Sequence, residues 1–162
     1  MSVFANYQKF TQKIDTLCNK ILSLYSEQIT CSKSCSNCCI SELTVLPIEA
    51  DYVKEKTKHK KIKPNKTKGS CIMLEGECCQ IYEYRPLVCR TQGFTLLYGD
   101  ELSFCDMNFK NMTGGFCFSS GTLIDMDKVN LVLVALNMEY LKQTGDLDKL
   151  KDKRYKISEL IK

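Results

Sequence analysis

The chain has 162 residues, 44% hydrophobic and 26% charged, with 23 Lys and Arg against 19 Asp and Glu and a formal charge of +4. That is one domain's worth of an ordinary globular composition, enough to bury roughly two-thirds of the unfolded surface. The longest uninterrupted apolar run, Leu131 to Leu136, is far too short to cross a bilayer, and the first ten residues lack the basic and apolar segments of a secretory leader.

Phe10, Ile14, Leu17, Ile21 and Leu24 recur at helical spacing and predict an amphipathic helix over residues 4–28, with Cys18 beside the stripe as a small buried residue. The next segment, Thr30 to Cys39, is rich in small polar residues and suits a tight loop around an ion. Residues 41–46 read as short and extended. Pro47 then fits the first position of a second helix ending near Thr57, with Glu49 and Asp51 at its positive end.

Lys54 to Lys68 carries eight lysines and His59 without apolar period, and reads as a solvated helix end running into a mobile linker. Cys71 to Tyr82 reads as a hairpin turning at Glu75-Gly76-Glu77. Arg85-Pro86 opens a short helix or turn carrying Cys89 and Arg90, and Phe94 to Tyr98 is a candidate strand ending at Gly99-Asp100. Asp125 or Asp127 caps a largely buried helix over 128–142 that stops at Gly145. In the charged tail, Tyr155, Ile157, Leu160 and Ile161 are candidate anchors.

Cysteine is the outlier, at 11 residues. A cytoplasmic, reducing location is expected, where dense thiols serve metal or redox chemistry rather than structural disulfides. The odd count and the adjacent pairs Cys38-Cys39 and Cys78-Cys79 also suit a disulfide framework poorly. Cys31, Cys35, Cys38 and Cys39 follow the pattern Cys-x-x-x-Cys-x-x-Cys-Cys, and Cys71, Cys79, Cys89 and Cys105 can supply further ligands. Both zinc and iron–sulfur clusters ask for four such ligands, so the spacing points to metal without choosing the metal. Cys38 and Cys39 diverge as neighbours; they serve two different centres, or one binds while the other is buried. Eight metal-bound thiolates and two divalent ions would bring the net charge near zero, so the basic surplus compensates the site at least as well as it would attract nucleic acid.

These cysteines, with Cys71-Ile-Met-Leu, Cys79-Gln-Ile-Tyr and Arg85-Pro86-Leu-Val-Cys89-Arg90, resemble the YkgJ-like cysteine-cluster family, a zinc- or iron-chelating domain, over residues 31–109. The resemblance implies that Cys31, Cys35, Cys38, Cys39, Cys71, Cys79, Cys89 and Cys105 are the chelating set. Cys18, Cys78 and Cys117 fall outside it. The family includes flagellin lysine methylases, in which such a domain belongs to a longer enzyme; no separate nucleotide-binding segment is recognisable here.

Arg85 and Arg90 bracket Cys89, either as surface ion-pair residues or as donors to sulfur. Tyr82 and Tyr84 point to the same region, one of them as core. His59 reads as solvated. The lysine run lacks interleaved aromatic residues, which argues against nucleic acid. Gly114-Gly115 lacks the strand-to-helix setting of a phosphate loop, and no βαβ setting supports a thioredoxin-like pair.

The expectation is one mainly helical α+β domain over 1–162, with a cysteine-rich centre, a short hairpin and long helices at both ends. Its function is to chelate zinc or an iron–sulfur cluster, [4Fe–4S] included, through eight cysteines. Metal ions are the expected partners, with a protein partner for the lysine segment or end helices as a further reading. The alternative is a cluster-dependent enzyme or enzyme component, methylase-like or redox.

Overall fold

The computed structural model describes residues 2–31, 35–110 and 118–161. It is a small α+β fold, and among the described residues no helix is long and apolar enough to cross a membrane.

Helix α1 (Ala5–Leu24) buries Tyr7, Thr11, Ile14, Cys18 and Ile21. The buried face is rotated from the expected stripe: Cys18 lies in its centre, Phe10 and Leu17 flank it, and Leu24 is 58% exposed. The helix ends earlier than 28 because the chain folds into a turn, with Ile29 N–H donating to Tyr25 O at 2.9 Å.

Strand β1 (Thr44–Val45) leads into α2 (Pro47–Thr57), where Pro47 starts the helix as its fixed φ and missing N–H favour. The hairpin β2 (Leu74–Glu75) and β3 (Cys78–Cys79) turns at Gly76, whose φ of +62° suits glycine. Helix α3 (Leu87–Thr91) follows Pro86, and β4 (Leu96–Tyr98) follows α3. The candidate strand at 94–98 has partners the sequence did not disclose: β5 (Glu101–Ser103), antiparallel, and β6 (Ile124–Asp125), parallel.

Helix α4 (Met126–Thr144) is capped by Asp125, whose carboxylate accepts from Lys128 N–H at 3.0 Å, and ends at left-handed Gly145. It is not largely buried. Val129, Leu133, Tyr140 and Leu141 pack inward, but Leu131, Val132 and Val134 are 71%, 41% and 45% exposed, because only one side of the helix meets the body. After α5 (Leu147–Leu150), β7 (Tyr155–Lys156) pairs with β1, and Ile157 and Leu160 are buried as anchors.

The apolar interior has two clusters. One joins α1, α4, β4 and the Ile48–Tyr52 side of α2. The other joins Val45, Ala50, Val53, Met73, Leu74, Ile81, Ile157 and Leu160. Helix α2 therefore divides them. Both long helices pack within the first cluster, and α1 also walls the cysteine-lined cavity through Asp15, Cys18, Asn19 and Leu22, which no described residue of α4 does.

The segment after α2 is not a free linker. Lys63 N–H donates to Gln80 Oε1 at 2.8 Å, Gln80 Nε2 donates to Lys63 O at 2.7 Å, and Asn65 N–H donates to Ile72 O at 2.9 Å, pinning it along the hairpin. Lys54, Lys56 and Lys60 lie over the rings of Tyr155, Tyr52 and Tyr84, where cation–π attraction adds to packing of their stems. His59 is exposed.

Candidate metal centre

A cavity of about 780 Å³ is lined by Cys31, Cys35, Cys38, Cys39, Cys71, Cys79 and Cys89, together with Cys18, Met73, Tyr82 and Arg85. Cys105 is not among the lining residues; its Cβ is close to Gly93, which Cys31 Sγ also approaches.

Local hydrogen bonding explains how remote segments meet. Cys39 N–H donates to Ser36 O at 2.9 Å, tightening the loop. Cys71 N–H donates to Cys39 O at 2.8 Å, and Ser41 N–H donates to Gly69 O at 3.0 Å, so the second segment is laid against the first. Hairpin register places Cys79 opposite Leu74, and the turn Cys89 N–H to Pro86 O at 3.0 Å sets Cys89 at the start of α3.

Cys31 and Cys105 are joined by Asn108, a residue the sequence reading missed. It is buried; its Oδ1 accepts from Thr30 N–H at 2.9 Å, and its Nδ2 donates to Gly93 O at 2.7 Å. One amide thus ties the segments carrying both cysteines to the loop after α3. Only its place three residues past Cys105 hinted at this.

The cysteines fall into two electrostatic neighbourhoods. Cys31 feels Cys35 most strongly, together with Cys38 and Cys105. Cys89 feels Cys71 and Cys79, and Cys39 feels Cys89 and Cys71. Cys38 and Cys39 are neighbours whose thiols influence each other, and they join the groups. The second group is packed with the apolar cluster of Val45, Met73 and Ile81, whereas in the first group only Cys31 touches an apolar cluster.

Burial pushes the Cys31 thiol up to about 11 and the Cys89 thiol up to about 12, and raises Cys71 and Cys79. Cys38 is the exception, lowered to about 6 mainly by the neighbouring Cys39 thiol, whose own proton is held more tightly. Buried thiols kept protonated this way need a cation to become thiolates, as metal binding with proton release supplies. The donor set therefore fits a thiophilic metal in its chemistry. Among the described residues, no three Cys, His, Asp or Glu side chains converge closely enough to hold an ion as they stand. The sulfurs are gathered into one chamber but not closed into a polyhedron.

Arg90 is not a surface ion-pair residue. It is 7% exposed and fully engaged: Nη1 pairs with Asp15 at 2.6 Å, Nε donates to Arg85 O at 2.7 Å and Nη2 donates to Glu83 O at 2.7 Å. It fixes the backbone ahead of α3. Arg85 stacks over Tyr82 at 3.5 Å, while Tyr84 packs against the first apolar cluster.

The sequence reading placed Glu49 at the positive end of α2 but missed its reach to α3. It is buried, and its two oxygens accept from Leu46 N–H at 3.1 Å and Leu87 N–H at 2.9 Å, so one carboxylate caps both α2 and α3.

The thiols outside the resemblance separate clearly. Cys18 is buried against Arg90 O, with burial pushing it up to about 12. Cys78 is exposed on β3, away from the cavity. Cys117 and Gly114-Gly115 lie outside the described residues.

A family model described as "Putative zinc- or iron-chelating domain" (CxxCxxCC) matches residues 30–115, just over half of the chain. No curated protein and no solved structure matches.

Proposed function

Since the chain belongs to the zinc- or iron-chelating CxxCxxCC family, we propose that it holds two metal centres, one on Cys31, Cys35, Cys38 and Cys105 and the other on Cys39, Cys71, Cys79 and Cys89. What supports this reading is that Cys31 neighbours Cys35, Cys38 and Cys105, whereas Cys39 neighbours Cys71 and Cys89, and Cys89 neighbours Cys71 and Cys79. Four thiolates satisfy a tetrahedral zinc ion and equally an iron–sulfur cluster. Either guest would be enclosed by sulfur with no open position, so the role is structural or electron-carrying.

The chain's own residues do the positioning. Asn108 holds the first group together across three segments, and Glu49 sets the start of the helix that carries Cys89. A bound metal would supply the positive charge that converts these thiols to thiolates.

A second reading, an enzyme component, is favoured by the cavity's other walls. Asp15, Asn19 and Gln92 line it beside the sulfurs and give room for a small substrate.

Anaerobic purification, elemental analysis and visible absorbance test the first reading together. The wild type is expected to carry two centres, coloured if iron and colourless if zinc. Cys105→Ser and Cys79→Ser are each expected to retain one, and the double variant none. A Cys105→Ser protein that keeps both centres, or loses both while remaining folded, refutes the division.

A further inference from the structure

Two cations stand in or beside the cavity wall, and only one is committed elsewhere. Arg90 spends its guanidinium on Asp15 and two carbonyls. Arg85 has no carboxylate within ion-pair distance among the described residues, and its buried Nε has no hydrogen-bond partner.

The position of Arg85 is fixed from three directions. Pro86 restrains its backbone, its carbonyl accepts from Arg90, and its guanidinium stacks on Tyr82. A buried N–H left without an acceptor is costly unless something in the chamber receives it. Arg85 lines the same chamber as Cys38 of one group and Cys79 and Cys89 of the other.

We infer that Arg85 is a positioning residue shared by both sulfur groups: a fixed guanidinium in the chamber wall that offsets thiolate charge and offers its free N–H to sulfur. This rests on the two-centre reading above. Four thiolates around a divalent ion leave two negative charges in excess, as does a four-cysteine [4Fe–4S] cluster at its usual charge. Two such guests in one chamber are favoured by a cation fixed in its wall. Outer donors of this kind typically change metal affinity by about 10–100-fold.

The test is metal release to a competing chelator at fixed pH, from wild type, Arg85→Gln and Arg85→Lys proteins reconstituted with excess zinc. Circular dichroism confirms that each loaded protein is folded. Arg85→Gln is expected to lose metal at least about tenfold faster than wild type. Arg85→Lys, which keeps the charge, is expected to recover most of that loss. Release from Arg85→Gln at the wild-type rate overturns the inference. So does Arg85→Lys releasing as fast as Arg85→Gln, since shape rather than charge would then be at work. If Arg85→Gln cannot be obtained folded, full metal retention by Arg85→Lys upholds the inference and its loss overturns it. A wild type that takes up no metal defeats the two-centre reading itself, whereas a loaded wild type with an unaffected glutamine variant defeats only the role of Arg85.

Discussion

Glu49→Ala should be among the most damaging substitutions outside the cysteines. The carboxylate satisfies two buried backbone donors, Leu46 N–H just ahead of its own helix and Leu87 N–H, 38 residues beyond Glu49, at the start of α3. Alanine orphans both, at about 1–3 kcal/mol each, or about 2–6 kcal/mol in total. Some of this returns, because burial raises the Glu49 pKa, so the charged carboxylate is itself held at a cost. The net loss is therefore expected in the lower half, about 2–4 kcal/mol, against the 5–15 kcal/mol that typically holds a domain together. Urea unfolding of the metal-loaded protein measures it. The sign with pH follows from the same shift. The folded protein binds the Glu49 proton more tightly than the unfolded chain does. Its contribution to stability thus falls as pH rises from the ordinary carboxyl range to the raised folded pKa, and then levels off. Glu49→Gln lacks that fall. Since α3 carries Cys89, Glu49→Ala should also release the metal of the Cys39 group before that of the Cys31 group. A midpoint change worth less than about 0.5 kcal/mol would refute the double-capping argument.

Two further outcomes are expected. Gly93→Ala places a side chain at φ +94°, facing Cys31 Sγ and Asn108 Nδ2, so about 1–2 kcal/mol of stability should be lost and one metal retained less firmly; thermal unfolding and metal counting check this. Brief alkylation of the native, loaded protein should label Cys78 and spare Cys18 without loss of metal, because Cys78 is exposed and outside the chamber while Cys18 is buried with its thiol raised to about 12; peptide mass spectrometry reads the sites.

Where one residue type governs local backbone, the sequence was legible. Pro47 and Pro86 mark the starts of α2 and α3, Gly76 the hairpin turn and Gly145 the end of α4. Side chains whose partners lie far along the chain were opaque. Nothing near Asn108 in sequence says that it accepts from Thr30, 78 residues earlier, and Glu49 looks like any acidic residue in a first turn. Strands of two residues, such as β1 and β7, carry no alternation to read, and their pairing exists only because the tail returns across the fold. The composition of α4 suggested burial all round, yet nothing among the described residues covers Leu131 and Val134. The eight candidate ligands are those the family resemblance implies, but their division into groups depends on how the segments converge in space.

Cys38 and Cys39 are consecutive, and a single peptide unit sets their Cα atoms only about 3.8 Å apart. Guests tethered through so short a link sit within roughly 10 Å of each other, where one unit of charge gained by the first alters the energy of the second by about 2 kcal/mol at an effective dielectric near 20. On the proposed two-centre reading, neither compartment would fill, empty or change oxidation state without its neighbour registering the event, so occupancy and redox titrations of the protein should depart from the curve for two independent sites.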